Sequence, residues 1–127
     1  MAKIETYRTT ITIETESTTR QISVNTSIAR GWRELQTAVA KEQQDVKDIS
    51  KAAKIDRVSA AGLYITREAE NARAYIDAIQ AALTASEWAK IEDITPYMDI
   101  DGLRAIALEI LQRYTAYYEN RLKEQVE

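Results

Sequence analysis

The chain contains no cysteine and no histidine. Without cysteine it can form neither a disulfide framework nor a thiolate zinc site. Without histidine it lacks the side chain that most often serves as a metal ligand or as a general base near neutral pH. These two absences exclude many enzyme classes, and the sequence predicts no catalytic residue, no metal site and no cofactor.

Glycine and proline are also scarce, with 3 and 1 in 127 residues. So little turn chemistry disfavours a sandwich or barrel of many strands and favours a few long helices. The hydrophobic share of 45% and the charged share of 29% are typical of a folded protein. A chain of this length predicts a single domain over residues 1–127, with a β arm at 1–24 and a helical body at 25–127.

Long apolar runs are absent as well. Residues 1–6 carry no apolar core of the kind found in export signals, and no segment reaches the roughly 18 apolar residues of a membrane span. We therefore expect a cytoplasmic protein that does not bind membranes. The net charge of -3 provides no global attraction to nucleic acid, so any such binding has to be local.

The first strongly patterned segment is rich in threonine and β-branched residues. Apolar and polar residues alternate from Tyr7 to Glu14 and again from Arg20 to Val24, which predicts two strands joined by a loop. The loop has no glycine or asparagine, so a tight two-residue turn is disfavoured. A lone hairpin is marginally stable in water. Either the helices cover this arm, or copies of the protein share it.

Helical spacing begins after the arm. Apolar residues at steps of three and four predict a helix over about 27–49, capped within Asn25–Ser27, and a second over about 57–84, capped by Asp56. The second pattern consists of Val58, Gly62, Ile65, Ala69, Ala72, Ile76, Ile79 and Leu83. We favour an antiparallel hairpin, with one bent helix as the alternative.

In that hairpin, the small residues Ala69 and Ala72 would lie opposite Trp32 and Leu35.

Two more helices complete the prediction. Thr84 and Glu87 match a capping box at the start of a short helix, and Pro96 ends that helix. A last helix starts near Asp101, where Asp99 and Asp101 are better explained as helix-start residues than as calcium ligands. The predicted fold is α+β and predominantly α, with an N-terminal β-hairpin arm, a long antiparallel helical hairpin and two C-terminal helices.

The leading functional prediction is a non-enzymatic adaptor or small assembly protein that forms a homo-oligomer and binds a further protein. The chain has seven tyrosines and no phenylalanine, and tyrosine suits half-buried contact surfaces. The predicted interface residues are Tyr7, Ile11, Ile13, Ile22, Tyr114, Tyr117 and Tyr118.

Two alternatives stay open. The first is a binder of nucleic acid or nucleotide phosphates, which would use a basic stripe at the connection of the two long helices. That stripe consists of Lys47, Lys51, Lys54 and Arg57. The second is a metal-dependent hydrolase that uses Glu42, Asp45 and Glu68. Because Glu42 occupies an apolar helix face, it should pair with a cation, for which Arg67 and Arg73 are the candidates.

Overall fold

The computed structural model describes residues 7–126; residues 1–6, where the sequence predicts no export signal, and Glu127 lie outside the described residues. Residues 7–126 are 68% helical, and the predicted fold class is confirmed. In chain order the elements are β1 (Arg8–Glu14), β2 (Thr19–Asn25), α1 (Trp32–Ala53), α2 (Arg57–Ala82), α3 (Ala85–Trp88), a 3₁₀ turn (Thr95–Tyr97) and α4 (Ile100–Val126).

The two strands pair antiparallel with Ile11 opposite Ile22, and Thr15 and Thr18 close the longer loop that the sequence predicts. The inward-facing side chains of both strands belong to the same core as the helices. Ile11, Ile13 and Ile22 are at most 4% exposed, so their assignment to a contact surface between molecules is corrected. The helices cover this face of the hairpin because burial removes apolar area from water.

Helix α1 begins five residues later than its pattern predicts. Asn25 accepts hydrogen bonds from the Ser27 backbone N–H and hydroxyl, and so holds a turn instead of capping a helix. Gly31 then enters α1 with φ of 72°, a conformation that glycine adopts readily. A Cβ at Gly31 would lie 2.8 Å from the Ala82 Cα, so glycine also permits the close approach of the two long helices.

The antiparallel helical hairpin is confirmed, and Asp56 accepts hydrogen bonds from the first backbone N–H groups of α2 as expected. The register in which α1 and α2 face each other differs from the prediction. Glu42 meets Tyr75 and Asp45 meets Asn71, which places Ala69 and Ala72 far from Trp32 and Leu35. The reason is that α1 continues to Ala53 and the connection is only three residues long, so the turn lies closer to the C-terminus than expected.

The C-terminal elements hold the hairpin and the sheet together. Thr84 accepts a hydrogen bond from the Glu87 N–H, but the Glu87 carboxylate reaches the Ser23 N–H of β2 instead of completing the capping box. Asp99 accepts a hydrogen bond from the Gly102 N–H at the start of α4, which supports its predicted helix-start role.

Helix α4 packs on both α1 and α2 and runs antiparallel to α1, since Arg104 contacts Glu42 and Tyr114 contacts Arg30. Ile100, the first residue of α4, lines the same cleft as Val46 and Ile49. The α1–α2 hairpin therefore extends beyond the start of α4. We call the part of the hairpin outside α4, residues 46–69, its distal half, and the part that α4 covers its proximal half.

Candidate interaction surface

A polar cluster separates the two halves of the hairpin. Glu42, 7% exposed, accepts two hydrogen bonds of 2.6 Å from the Arg104 guanidinium and a third from the Tyr75 hydroxyl, also 2.6 Å. The Arg104 guanidinium, aided by Tyr75, holds the pKa of Glu42 below its usual value, while burial raises the pKa of Tyr75. The predicted partners of Glu42 were wrong, because Arg67 pairs with Asp45 and Arg73 with Asp77.

Asp45 is the second buried carboxylate of this cluster. It accepts hydrogen bonds from Lys41 at 2.9 Å, from the Asn71 amide at 2.9 Å and from Arg67 at 3.3 Å. The Lys41 ammonium is the main reason why the pKa of Asp45 is lowered. Each buried charge is thus paired and hydrogen-bonded, which offsets the cost of removing it from water.

The three carboxylates of the hydrolase hypothesis do meet at one place. Glu42, Asp45 and Glu68 line a cleft of about 170 Å³ between α1, α2 and the start of α4. However, Arg104 and Lys41 already neutralise the first two, and residues 7–126 contain no group of three or more carboxylates that could hold a metal ion. The arrangement fits a structural ion-pair cluster.

Beyond the cluster, α2 exposes an apolar face. Val58 is 83% exposed and Ile65 is 72% exposed. We call this surface the open face; it consists of Val58, Ala61, Gly62, Ile65 and Ala69, all of them exposed. The sequence pattern predicts buried positions here, and that prediction was wrong. The pattern continues through Ile79 and Leu83, which are buried, but the open face lies beyond the start of α4.

Gly62 is the least expected residue of the open face. It lies inside α2, where glycine is less favourable than alanine by about 0.5–1 kcal/mol. A Cβ added at this position would meet nothing within 4 Å. The described part of the chain therefore gives no packing reason for glycine here, in contrast to Gly31.

The side of the open face toward α1 continues into a shallow groove. Ile49 and Ala53 of α1 line it together with Ala60, Tyr64 and Ile65 of α2. Tyr64 also lines the cleft beside the polar cluster, so apolar surface runs without interruption from that cleft toward the end of the hairpin. Exposed apolar residues that form a contiguous patch are typical of contact surfaces.

Of the predicted basic stripe, Lys47, Lys51, Lys54 and Arg57, only Arg57 is among the residues that line the groove. All four side chains are exposed, and none makes an ion pair with another residue of the range 7–126. The neighbouring carboxylates have other partners, since Asp48 accepts from Gln44 and Asp56 caps α2. The end of the hairpin is therefore locally cationic in a protein whose net charge is negative.

The predicted tyrosine surface divides into two parts. Tyr114 is fully buried and donates a 2.8 Å hydrogen bond to the Arg30 carbonyl, so it is corrected to a core residue; burial raises its pKa to about 12. Tyr117 stacks edge-on between Tyr7 and Tyr118, with ring centroids 5.2 and 5.1 Å away. Tyr118 also donates to the Ser27 carbonyl at 2.6 Å. These three rings fasten α4 to the start of β1 and to the turn before α1.

Comparisons with known proteins gave no match to a family model, to a curated protein or to a solved structure. Among residues 7–126, no helix is both long enough and apolar enough to cross a membrane.

Proposed function

We propose that the protein is a non-enzymatic interaction protein that binds a protein partner through the open face. The observation that carries this proposal is the exposure of Val58 and Ile65 on a helix face whose C-terminal continuation is buried. A helix of the partner would occupy the place that α4 occupies on the proximal half. An acidic chain without cysteine is compatible with an adaptor that works in the cytoplasm.

The geometry favours a helix as the bound element. Helices pack by inserting ridges of side chains into the grooves of a neighbour, and the distal half presents both an exposed ridge and a groove between two helices. Apolar grooves of this kind bind amphipathic helices through residues spaced at three and four positions. Arg57 lines the groove and makes no ion pair with another residue of the range 7–126, which favours a helix with an acidic residue beside its apolar ones.

A photo-crosslinking amino acid at position 65 tests this proposal in the cells that make the protein. Thr37 provides the control, because it is also exposed but lies on α1 in the proximal half, away from the open face. We expect adducts from position 65 and none from position 37. Equal labelling from both positions, or no adduct from either, would refute binding through the open face.

A second candidate function is the binding of nucleic acid or nucleotide phosphates by the basic stripe, favoured because none of its four cations makes an ion pair with another residue of the range 7–126. Contacts to phosphate release counterions, so affinity should fall steeply with salt. Titration of a single-stranded oligonucleotide at increasing salt would test this candidate. A Lys51→Glu and Lys54→Glu variant should lose that binding, whereas unchanged binding would reject the basic stripe as its site.

A further inference from the structure

The open face is self-complementary when α2 is paired with an antiparallel copy of itself. Aligned about the midpoint between Leu63 and Tyr64, Val58 of each copy lies level with Ala69 of the other, and Ile65 lies level with Gly62. Large side chains thus oppose small ones at both levels, as close helix packing requires. The spacing of four, three and four residues from Val58 to Ala69 keeps these positions on one side of the helix.

Gly62 fits the centre of such a pair. No described residue comes within 4 Å of a Cβ built there, so its own chain does not require glycine. Residues without bulky side chains let two helix backbones approach closely, and Ile65 of the other copy needs such a space. The position that weakens the isolated helix therefore suits the contact between two helices.

Charge complementarity identifies the second copy as the occupant. Arg57 and Glu68 are eleven residues apart, which is about three helical turns. They therefore flank the open face on the same side of the helix. Both border the groove side, and neither makes an ion pair with another residue of the range 7–126. They lie about 16 Å apart along one helix and cannot pair within a molecule. In an antiparallel pair, residues on matching flanks meet. In the register that aligns Val58 with Ala69, Glu68 of one copy lies two residues, about 3 Å along the helix axis, from the level of Arg57 of the other, which is within reach of the arginine side chain.

We infer that two copies associate about a two-fold axis between Leu63 and Tyr64, with their α2 helices antiparallel over residues 57–69. This inference rests on the proposed function, because it names the partner of the open face. The shared segment is about 18 Å long, and so small a contact is typical of weak, reversible association. The same surface patch serves both molecules, so the assembly closes at two copies.

Native mass measured by light scattering from about 10 µM to about 1 mM tests the pairing, in the range expected for weak complexes. The wild type should shift from one to two chain masses. Arg57→Glu and Glu68→Arg should each raise the dissociation constant roughly tenfold, because each places like charges opposite one another twice. An equimolar mixture of these two variants should regain the wild-type affinity as a heterodimer, in which both facing pairs are again opposite in charge.

Thr37→Lys supplies the control, because Thr37 is exposed on α1 outside the contact, and it should leave the dissociation constant unchanged, whereas Ile65→Lys should abolish the dimer. A wild type that stays monomeric at the highest concentration, or a mixture no tighter than its components, would overturn the inference. The crosslinker at position 65 separates this result from failure of the proposed function. Adducts of twice the chain mass identify a second copy, adducts with another protein retain only the proposed function, and absence of both rejects the two proposals together.

Discussion

The proximal and distal halves of the helical hairpin share one apolar pattern but differ in what covers it. In the proximal half, Ile79 and Leu83 are buried within the common core. In the distal half, Val58 and Ile65 continue the same spacing and are exposed. The polar cluster around Glu42 and Asp45 lies at the boundary. Periodicity therefore shows which side of a helix is apolar, whereas the position of neighbouring elements decides how much of that side is buried.

The largest expected difference between the halves concerns matched isoleucines. Ile79→Ala should lower the free energy of unfolding by about 3 kcal/mol, because Ile79 is fully buried and its removal leaves a cavity. Ile65→Ala should change it by less than about 0.5 kcal/mol, because Ile65 is 72% exposed. Urea unfolding monitored by circular dichroism at low protein concentration measures both. Similar losses for the two variants would mean that the distal half is covered within one molecule.

The next largest effect on the free energy of unfolding should come from the polar cluster at the boundary between the halves. Glu42→Gln should cost about 2 kcal/mol at pH 7, since it removes the charge that Arg104 and Tyr75 contact. The pKa of Glu42 is lowered in the folded state, so its contribution is present above the unfolded pKa of about 4.3 and is lost as the pH falls through the folded value. The difference between wild type and variant should therefore shrink on acidification.

Unfolding free energies from pH 7 down to about pH 3 measure this dependence. Glu109→Gln is the matched control, because Glu109 pairs with Arg113 at an exposed site and should contribute little at any pH. A Glu42→Gln difference that stays constant with pH would show that its charge does not stabilise the fold.

Replacing Gly31 or Gly62 by alanine should change the free energy of unfolding in opposite directions. Gly31→Ala should cost about 1–2 kcal/mol, because an alanine Cβ would approach the Ala82 backbone and φ of 72° disfavours side chains. Thermal unfolding together with urea titration measures this loss. Stability equal to that of the wild type would mean that α1 and α2 can separate there without cost.

The smallest expected effect is a gain in the stability of the monomer. Gly62→Ala should stabilise the monomer by about 0.5–1 kcal/mol, because alanine is the better helix former and the site is open. The measurement should be made at low concentration, where self-association is negligible. A loss of stability would mean that the space beside Gly62 is occupied within one molecule.

Local features were predicted well from the sequence. The strand alternation around Ile11 and the Asp56 cap both depend on neighbours in the chain, so the residues themselves indicate them. The prediction that Pro96 ends the short helix was wrong, because α3 already ends at Trp88 and Pro96 lies in the first turn of the 3₁₀ helix. The start of α1 was missed because the Asn25 cap signal fits a turn as well as a helix. The partner of Glu42 was missed because Arg104 lies 62 residues away on another helix, where no local pattern connects the two.

The sequence by itself determined the element types, the apolar side of each helix and the cationic end of the hairpin, because these follow from backbone preferences, periodicity and charge. Only the tertiary structure decided that the strands belong to the core, that Tyr114 is buried and that the open face has no cover within the described chain. The physical reason is that burial depends on where α4 begins against α1 and α2. That position is fixed by packing and by the Glu42–Arg104 pair, and not by the residues of the open face.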